Sequence, residues 1–296
     1  MKNKLGLPEW LLEVVEKTRN QYDPGEKTDY SATSLLVPPM IYTLQKEHRP
    51  EEDVRDALPA FFGSCVHDKI EEYLKQNPRY IVEERLYHEF HIPEAPGEQK
   101  TFVISAQIDV FDKETGELSD HKFSKVSSFQ WSKDEHEFQL SLQCYLMKKK
   151  YGDVVKSIHI NGLGKDWSLY STARDNNYPQ SAYIRVDYPQ WADEDVEQAV
   201  KTKILEKEFA KIGQIRICDE SERWARPTLW KVKRKGRKSA LRNLNSEEEA
   251  NEFLANIPKP TGTEYIEKVE GENIRCEWYC NVREHCSFYQ EKYGNG

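Results

Sequence analysis

The chain has 296 residues, of which 38% are hydrophobic and 32% are charged, and its formal net charge is −8 at pH 7. No apolar run approaches membrane-spanning length, and the negative charge argues against a nonspecific binder of polyanions. Because Glu9, Glu13 and Glu16 interrupt the amino-terminal apolar residues, no signal peptide is predicted, and we expect a cytoplasmic protein. In that compartment the six cysteines favour metal ligation over disulfides.

The amino-terminal region predicts short helices. Pro8 to Arg19 has the apolar spacing of an amphipathic helix, with a proline at an early position. Tyr30 to Ser34 offers serine and threonine caps for a second helix. Pro38 and Pro39 interrupt this helix, and Met40 to Lys46 continues it. We therefore predict an N-terminal helix segment over residues 1–29, ahead of the main domain.

A longer helix is predicted over residues 61–76, and it carries the first candidate site residue. Four apolar residues recur on one face of this helix: Phe62, Val66, Ile70 and Tyr73. His67 borders that face, and Glu71 follows one turn later. Gly63, one turn before His67, predicts a close approach to another element. Because a histidine at the edge of an apolar face usually packs in the core, His67 alone does not predict a site.

A predicted hairpin, Phe102 to Phe123, is the central feature of the sequence. Apolar and polar side chains alternate over residues 102–110, which is typical of a strand with one buried face. Lys113 to Gly116 predicts a four-residue turn, and a second short strand follows from Glu117.

Two carboxylates are expected to meet across this hairpin. If the turn is symmetric, Asp109 lies opposite Asp120 and Gln107 lies opposite Lys122. Opposed residues have Cβ atoms about 5 Å apart, and like charges there are destabilising. A divalent cation would remove this penalty, and Lys122 could then polarise a phosphate oxygen. The pattern predicts a metal-dependent phosphodiester site; the alternatives are a β-bulge that shifts the register and an ordinary charged surface.

The elements around the hairpin predict a mixed α/β core. Tyr80 to Ile92 and Val154 to Ile160 predict strands, and Trp131 to Lys150 predicts a helix that carries Gln139 and Gln143. The later segments predict a strand, a charged helix and a basic hairpin: Ala182 to Val186, Ala192 to Ile212, and Trp230 to Leu244. A short helix that runs to Ala255 follows, with Asn245 or Ser246 as its cap.

Taken together, these motifs resemble the PD-(D/E)XK nuclease superfamily. Gly63-x3-His67-x3-Glu71, Ile108-Asp109, Asp120-His121-Lys122 and Gln139 follow the order and spacing of its RecB-like branch. That branch includes phage-encoded exonucleases and CRISPR-associated adaptation nucleases. The resemblance implies a restriction-endonuclease-like α/β fold with a mixed central sheet flanked by helices. It implies a nuclease core over residues 30–162 and, packed on it, a C-terminal cysteine-rich metal-binding extension over 163–296.

The resemblance also implies a role for each motif residue. Four positions correspond to metal ligands of the family, the last through its carbonyl: His67, Asp109, Asp120 and His121. Asp109 and Asp120 are therefore catalytic carboxylates, Lys122 is the catalytic lysine, and Gln139 positions the lysine or the DNA. The implied cation is Mg²⁺ or Mn²⁺, and the implied reaction is in-line attack by a metal-activated water. The sequence departs from the family at Gln143, where tyrosine is usual, and at Ala106, where glycine is frequent.

The carboxyl-terminal tail predicts a second metal site. Cys276-x3-Cys280-x5-Cys286 resembles the last three cysteines of iron–sulfur members of the family, although their first gap has two residues. Those members place a fourth cysteine before the helix histidine, where this chain has only Val37 to Met40. Cys218 is the expected fourth ligand, with Cys65 and His285 as alternatives, around Zn²⁺ or a 4Fe–4S cluster. Free buried cysteines are the simpler alternative.

A basic turn is the candidate contact for DNA. Its cations have no acidic residue between them: Lys231, Lys233, Arg234, Lys235, Arg237 and Lys238. Such a cluster suits phosphate contacts, and Trp230 is available for base stacking; a solvated hairpin tip is the alternative. Phage relatives also imply a single-strand annealing recombinase as a protein partner.

These observations favour a DNA exonuclease of recombination or end processing. The second prediction is a structure-specific or restriction-like endonuclease. The third is a non-catalytic DNA-binding module on a decayed nuclease scaffold. Decay usually removes an acid or the lysine, whereas Asp109, Asp120 and Lys122 are all present.

Overall fold

The computed structural model describes residues 1–20, 28–130 and 133–294. In chain order, the helices are α1 Glu9–Asn20, α2 Ala32–Leu36, α3 Pro39–His48, α4 Val54–Leu74, α5 Asp134–Tyr151, α6 Leu169–Thr172, α7 Asp193–Lys211, α8 Glu247–Ala255 and α9 Ser287–Tyr293. The strands are β1 Tyr30–Ser31, β2 Tyr80–Val82, β3 Arg85–His91, β4 Thr101–Gln107, β5 Val110–Asp112, β6 Glu117–Ser124, β7 Ser157–Gly164, β8 Tyr183–Tyr188, β9 Leu229–Arg234, β10 Arg242–Leu244 and β11 Glu264–Val269. Residues 21–27 of the predicted N-terminal segment, and the predicted helix start at Trp131, lie outside the described residues.

The chain divides into two compact units, each built from two segments. The first unit comprises Met1–Val37 and Glu51–Ile215, and the second comprises Pro38–Pro50 and Arg216–Gly296. This division differs from the predicted boundaries after residues 29 and 162. Residues 163–215 belong to the first unit, because β8 extends its larger sheet, and α3 belongs to the second.

The larger sheet of the first unit contains the predicted hairpin. Its strand order is β2-β5-β6-β7-β8, and it is mixed, since β6 and β7 are parallel and the other neighbours are antiparallel. A three-stranded sheet of order β1-β4-β3 accompanies it. Helix α5 packs against strands of both sheets, and α4 packs against β2 and β6. The predicted class of a mixed α/β chain with mixed sheets and flanking helices is therefore confirmed.

The hairpin has the predicted register but not the predicted length. Val110 pairs with Ser119 and Asp112 with Glu117, as a symmetric turn requires. The first strand was expected to continue from Phe102, but it breaks at residues 108–109. β4 belongs to the smaller sheet, where Gln107 pairs with Arg85 rather than Lys122. Lys122 instead lies beside Gly162 of β7.

The strand predicted over Tyr80 to Ile92 breaks in the same way. β2 pairs with β5 in the larger sheet, and β3 pairs with β4 in the smaller one. Two backbone hydrogen bonds connect the breaks: the Glu83 N–H donates to the Asp109 carbonyl at 3.1 Å, and the Ile108 N–H donates to the Glu84 carbonyl at 3.0 Å. The chain therefore passes between the sheets twice at one place, and Glu83 and Asp109 lie at the two crossings.

Helix α4 buries a different face from the predicted one. It begins at Val54, where the Asp53 carboxylate accepts a hydrogen bond from the Arg55 N–H at 3.0 Å. Val54 and Ala57 pack with Val15 of α1, so the buried part is the first turns. Phe62 and Tyr73, predicted to lie on the apolar face, are 51% and 75% exposed. Their spacing is helical, but the fully buried residues of α4, Val54 and Ala57, lie at the start of the helix.

The second unit contains an antiparallel sheet of order β10-β9-β11 with α8 packed on it. Of the two predicted caps of α8, Ser246 is the one observed: its hydroxyl accepts a hydrogen bond from the Glu249 N–H at 3.2 Å. None of the helices in the described residues combines the length and apolar character that a membrane span requires.

Candidate active site

A cleft of about 800 Å³ in the first unit brings the predicted site residues together. Every residue that we predicted to be catalytic or to bind the catalytic metal lines it: His67, Asp109, Asp120, His121, Lys122 and Gln139. They come from α4, from the crossing before β5, from β6 and from α5. The carboxyl end of β6, which runs parallel to β7, therefore forms the floor of the candidate site.

Main-chain atoms of His121 join two of the predicted ligands. Its N–H donates a hydrogen bond to Asp109 Oδ2 at 2.6 Å, and its carbonyl oxygen lies 2.8 Å from His67 Nε2. Nδ1 of His67 is 3.5 Å from Asp109 Oδ2. His67, at the edge of the predicted apolar face of α4, therefore lines the cleft and does not pack in the core. The His121 ring is buried and neutral, because burial and the charge of His67 lower its pKa to about 4.

Asp120 is held by two side chains. It is 1% exposed, and its Oδ1 accepts a hydrogen bond from Gln139 Nε2 at 2.7 Å. Lys122 Nζ lies 2.6 Å from Asp120 Oδ2. Burial alone would lower the pKa of Lys122, but the charges of Asp120 and Asp109 raise it above its ordinary value. The lysine is therefore a fixed positive charge beside a buried carboxylate.

Glu83 is a site residue that the sequence analysis missed. Its carboxylate, a His67 ring nitrogen and an Asp109 oxygen all lie within 4.8 Å of one another. The backbone of Glu83 has φ of 53°, in the left-handed region that costs a non-glycine residue about 1 kcal/mol. The sequence contained one signal: two adjacent acids, Glu83 and Glu84, interrupt an otherwise regular strand pattern.

The charges of these groups are poorly balanced without a cation. Burial and the neighbouring Asp120 raise the pKa of Asp109 to about 8. Burial opposes the charged form of His67, but a hydrogen bond to Glu83 and the charge of Asp109 raise its pKa to about 9. One imidazole nitrogen with several carboxylate oxygens is a donor set that Mg²⁺ and Mn²⁺ accept, and a divalent cation would relieve the repulsion. The residues present therefore fit such an ion.

Two residues that depart from the family pattern, Gln143 and Ala106, are both buried. Gln143, where tyrosine was expected, is 1% exposed, and its Nε2 donates a hydrogen bond to the Gln107 carbonyl at 2.8 Å. Ala106 is also buried and lines the cleft. Gly63 lines the cleft too, but among the described residues no atom outside the backbone of α4 lies within 4 Å of the position that a Cβ would occupy. Our prediction that Gly63 permits a close helix contact was therefore wrong; it leaves space in the cleft.

The predicted cysteine ligands line one cavity of the second unit: Cys218, Cys276, Cys280 and Cys286. Helix α3 contributes Met40, Ile41 and Leu44 to the same cavity and no cysteine. The two alternatives for the fourth ligand lie elsewhere: Cys65 is exposed in the first unit, and His285 stacks on His48 with ring centroids 3.6 Å apart.

Three thiols of this cavity have raised pKa values. Burial, then the charges of Glu222 and Cys286, raise the pKa of Cys218 to about 12. Burial also raises the pKa of Cys276 and Cys280, together with the charges of neighbouring cysteines. Thiolates crowded in this way need a cation, and four thiolates are a ligand set for Zn²⁺ or a 4Fe–4S cluster.

The basic turn divides into paired and unpaired cations. Lys233 is paired with Glu267, and Arg234 Nε lies 2.7 Å from Glu264. Trp230 is half-buried, and Lys268 lies over its ring at 5.6 Å, which leaves less of the ring for a base. Among the described residues, no carboxylate lies within ion-pair distance of the remaining predicted DNA contacts: Lys231, Lys235, Arg237 and Lys238.

Comparison with known proteins gives little further information. No protein-family model matches the sequence, and no curated protein matches it. One similar solved structure is a crystal structure of SSO0001, which is 15% identical to this chain. The match covers 66% of this chain and 82% of that chain, with a TM-score of 0.46.

Proposed function

We propose that this chain is a divalent-metal-dependent DNA nuclease of the PD-(D/E)XK superfamily, in its RecB-like branch. One observation carries the proposal: ligand atoms of His67, Glu83 and Asp109 converge within 4.8 Å, beside the close pair of Lys122 and Asp120. A half-buried cluster with this excess of carboxylates is costly unless it binds a cation. A lysine next to it suits the chemistry of a phosphodiester.

Each residue has a defined part in this proposal. His67, Glu83 and Asp109 would hold the cation, with Asp120 and the His121 carbonyl as further oxygen ligands. A bound Mg²⁺ or Mn²⁺ would activate water and stabilise the charge that develops on the phosphate.

The neighbouring residues supply orientation and positive charge. Gln139 donates to one oxygen of Asp120 and so fixes the direction of the other. Lys122, protonated at neutral pH, would hold a non-bridging oxygen of the phosphate that is cut.

An exonuclease of recombination or end processing is the preferred form of the activity. This preference rests on the motif resemblance to phage-type exonucleases. The experiment is digestion of linear and covalently closed circular DNA in Mn²⁺ by wild type, Asp120→Asn and Asp187→Asn. The control residue, Asp187, lies on β8, where its side chain is 66% exposed.

The outcomes separate the alternatives. We expect wild type and Asp187→Asn to degrade linear DNA only, and Asp120→Asn to be inactive but folded, as judged by thermal unfolding. Degradation of circular DNA by wild type would replace the exonuclease with the endonuclease alternative. An Asp120→Asn variant as active as wild type would remove the site assignment, and an inactive wild type that binds DNA would favour the non-catalytic module.

We also propose that the second unit binds Zn²⁺ or an iron–sulfur cluster through Cys218, Cys276, Cys280 and Cys286. Their shared cavity, and the raised thiol pKa values of Cys218, Cys276 and Cys280, support a site that is stable only when a cation neutralises the thiolates. The exposed cations at the tip between β9 and β10 are the proposed DNA contacts of this unit.

A further inference from the structure

We propose that Arg85 forms a second phosphate-binding position in the cleft, and that Gln107 connects it to the metal ligand Glu83. This inference rests on the nuclease function proposed above and names a contact with the substrate backbone. Arg85 is half-buried at the start of β3 and lines the same cleft as Asp109 and Asp120.

The charges of the cleft favour Arg85 as the second anchor for a phosphate. Among the described lining residues, only Lys122 and Arg85 are lysine or arginine. Lys122 lies 2.6 Å from Asp120 and belongs to the cutting site. A guanidinium has five N–H donors in a fork that matches phosphate oxygens, so it can bind a neighbouring side chain and a phosphate together.

The distance between the two positions fits a nucleic-acid strand. Arg85 is the register partner of Gln107, and Gln107 is two residues before Asp109. Two residues of chain span at most about 7 Å, even across the break between β4 and β5. Since one strand of duplex DNA rises about 3.4 Å per nucleotide, a phosphate at Arg85 would lie within about two nucleotides of a phosphate at Asp109.

Gln107 is the chemical connection between Arg85 and Glu83. Arg85 Nη2 donates to Gln107 Oε1 at 2.6 Å, and Gln107 Nε2 donates to Glu83 Oε2 at 2.5 Å. Arginine only donates and a carboxylate only accepts, so a side chain between them must offer one acceptor and one donor. An amide does this, and its orientation is fixed by its two partners.

The main chain of this connection is also held. Gln143 Nε2 donates to the Gln107 carbonyl at 2.8 Å, and the Glu83 N–H donates to the Asp109 carbonyl at 3.1 Å. A phosphate that draws Arg85 toward itself would therefore act, through Gln107, on the Glu83 carboxylate that would hold the cation. Such a coupling is reciprocal: strand binding should strengthen metal binding, and metal binding should strengthen strand binding.

The phosphate position is tested with Arg85→Met, which keeps most of the apolar stem and removes the charge. The control is Arg185→Met, because Arg185 of β8 pairs with Asp187 of the same strand and with Glu117 of β6, and does not line the cleft. We expect Arg85→Met to raise KM for DNA about tenfold, with a smaller change in kcat, because a charged hydrogen bond is lost. The slope of log affinity against log salt concentration should also decrease by about the contribution of one phosphate contact. A KM and salt slope equal to those of wild type and of the control would overturn this position.

The connection is tested by metal affinity rather than activity. Mn²⁺ binding is measured by electron paramagnetic resonance with and without a single strand of about ten nucleotides. Every protein in this experiment also carries Lys122→Met, so that the DNA strand is not cleaved during the measurement. With Gln107 present, we expect DNA to tighten Mn²⁺ binding about fivefold or more. Gln107→Leu should abolish this gain, and Gln198→Leu, a change of an exposed glutamine on α7, should preserve it.

The outcomes distinguish this inference from the nuclease proposal. If Gln107→Leu retains the full gain, the connection is wrong and the nuclease proposal is unaffected. If the protein that keeps Gln107 binds no Mn²⁺ in the cleft, the proposed metal site is wrong, and the proposed connection through Gln107 is wrong with it. Thermal unfolding of each variant, in the presence of EDTA, shows that the compared proteins are folded.

Discussion

The Nε2 atom of His67 lies 2.8 Å from the carbonyl oxygen of His121, although 54 residues separate them in the sequence. The carbonyl belongs to β6, whose backbone is held by pairing with β7, where His121 is the register partner of Asn161. The helix histidine is therefore positioned against a main-chain atom, and the side chain at residue 121 is not needed to place it.

We expect the two histidines to respond differently to replacement. His121→Leu should keep activity within about threefold, because the backbone is unchanged and the ring is buried and neutral. His67→Leu should lower activity about 100-fold or more, since removing even the partners of metal ligands costs about 10–100-fold. Steady-state cleavage of linear DNA in Mn²⁺ measures both. Equal losses in the two variants would mean that the His121 ring itself takes part.

His121 should also affect stability in acid. Its pKa is about 4 in the folded chain, against an ordinary value of 6.5. Between these values the unfolded chain binds more protons, so the free energy of unfolding falls as the pH falls from 6.5 to 4. His121→Leu should make this fall shallower. Urea unfolding at pH 7 and pH 5, in EDTA, gives the comparison, and an unchanged slope would contradict the burial argument.

Metal affinity should rise with pH. A cation must displace protons from Asp109, whose pKa is about 8, and from His67, whose pKa is about 9. Mn²⁺ should therefore bind more tightly at pH 8.5 than at pH 6.5, with proton release on binding. Calorimetry in two buffers of different ionisation enthalpy counts these protons. An affinity independent of pH over this range would indicate that these groups do not hold the ion.

Gly63 should control access to the cleft and not the packing of α4. Gly63→Ala should stabilise the helix by about 1 kcal/mol, because alanine is the better helix former and the space is open. Gly63→Leu should fold normally but raise KM for DNA, since the side chain projects into the cleft. Cys65→Leu, two residues away and exposed, is the control. Wild-type kinetics for Gly63→Leu would show that DNA does not pass this point.

Cys218 should be required for metal in the second unit. Cys218→Ser removes one thiolate of the cavity with little change in volume, whereas Cys65→Ser changes an exposed thiol of the other unit. We expect the first variant to lose bound metal and thermal stability and the second to retain both. The absorption spectrum and metal analysis distinguish a brown iron–sulfur protein from a colourless zinc protein. If the Cys218→Ser variant kept its full metal content, Cys218 would not be a ligand, and His285 would become the candidate for the fourth ligand.

The tip of the basic turn should dominate its contact with DNA. Replacing Lys235, Arg237 and Lys238 by glutamine should reduce the slope of log affinity against log salt by about 0.9 for each lost contact with duplex DNA. Replacing Lys233 and Arg234 should change it less, because Glu267 and Glu264 already pair with them. Fluorescence anisotropy at several salt concentrations provides the slopes. If the two sets of substitutions reduced the slope equally per residue, the ion pairs of Lys233 and Arg234 would have to open when DNA binds.

The local part of the site could be predicted because it depends on short-range pattern. The turn at Lys113 to Gly116 determines the register at Val110 and Ser119, and the structure has that register. The capping serine of α8 was predictable for the same reason. In each case the deciding interactions lie within a few residues of the chain.

The parts that could not be predicted depend on contacts between distant segments. The break before Asp109 exists because the Ile108 N–H donates to the carbonyl of Glu84, between β2 and β3, and nothing in the local alternation signals this partner. For the same reason Gln107 was paired with Lys122, whereas its observed partner is Arg85. The role of Glu83 follows from that rearrangement, so it became visible only with the two sheets in place.

The two linked chain crossings have a practical consequence for protein engineering. Because Glu83 and Asp109 sit on crossings that exchange backbone hydrogen bonds, shortening or lengthening either crossing would displace one carboxylate relative to the other. A transplant of this chemistry to a new scaffold would therefore have to carry residues 80–124 as a single block, together with a helix that presents an imidazole to it.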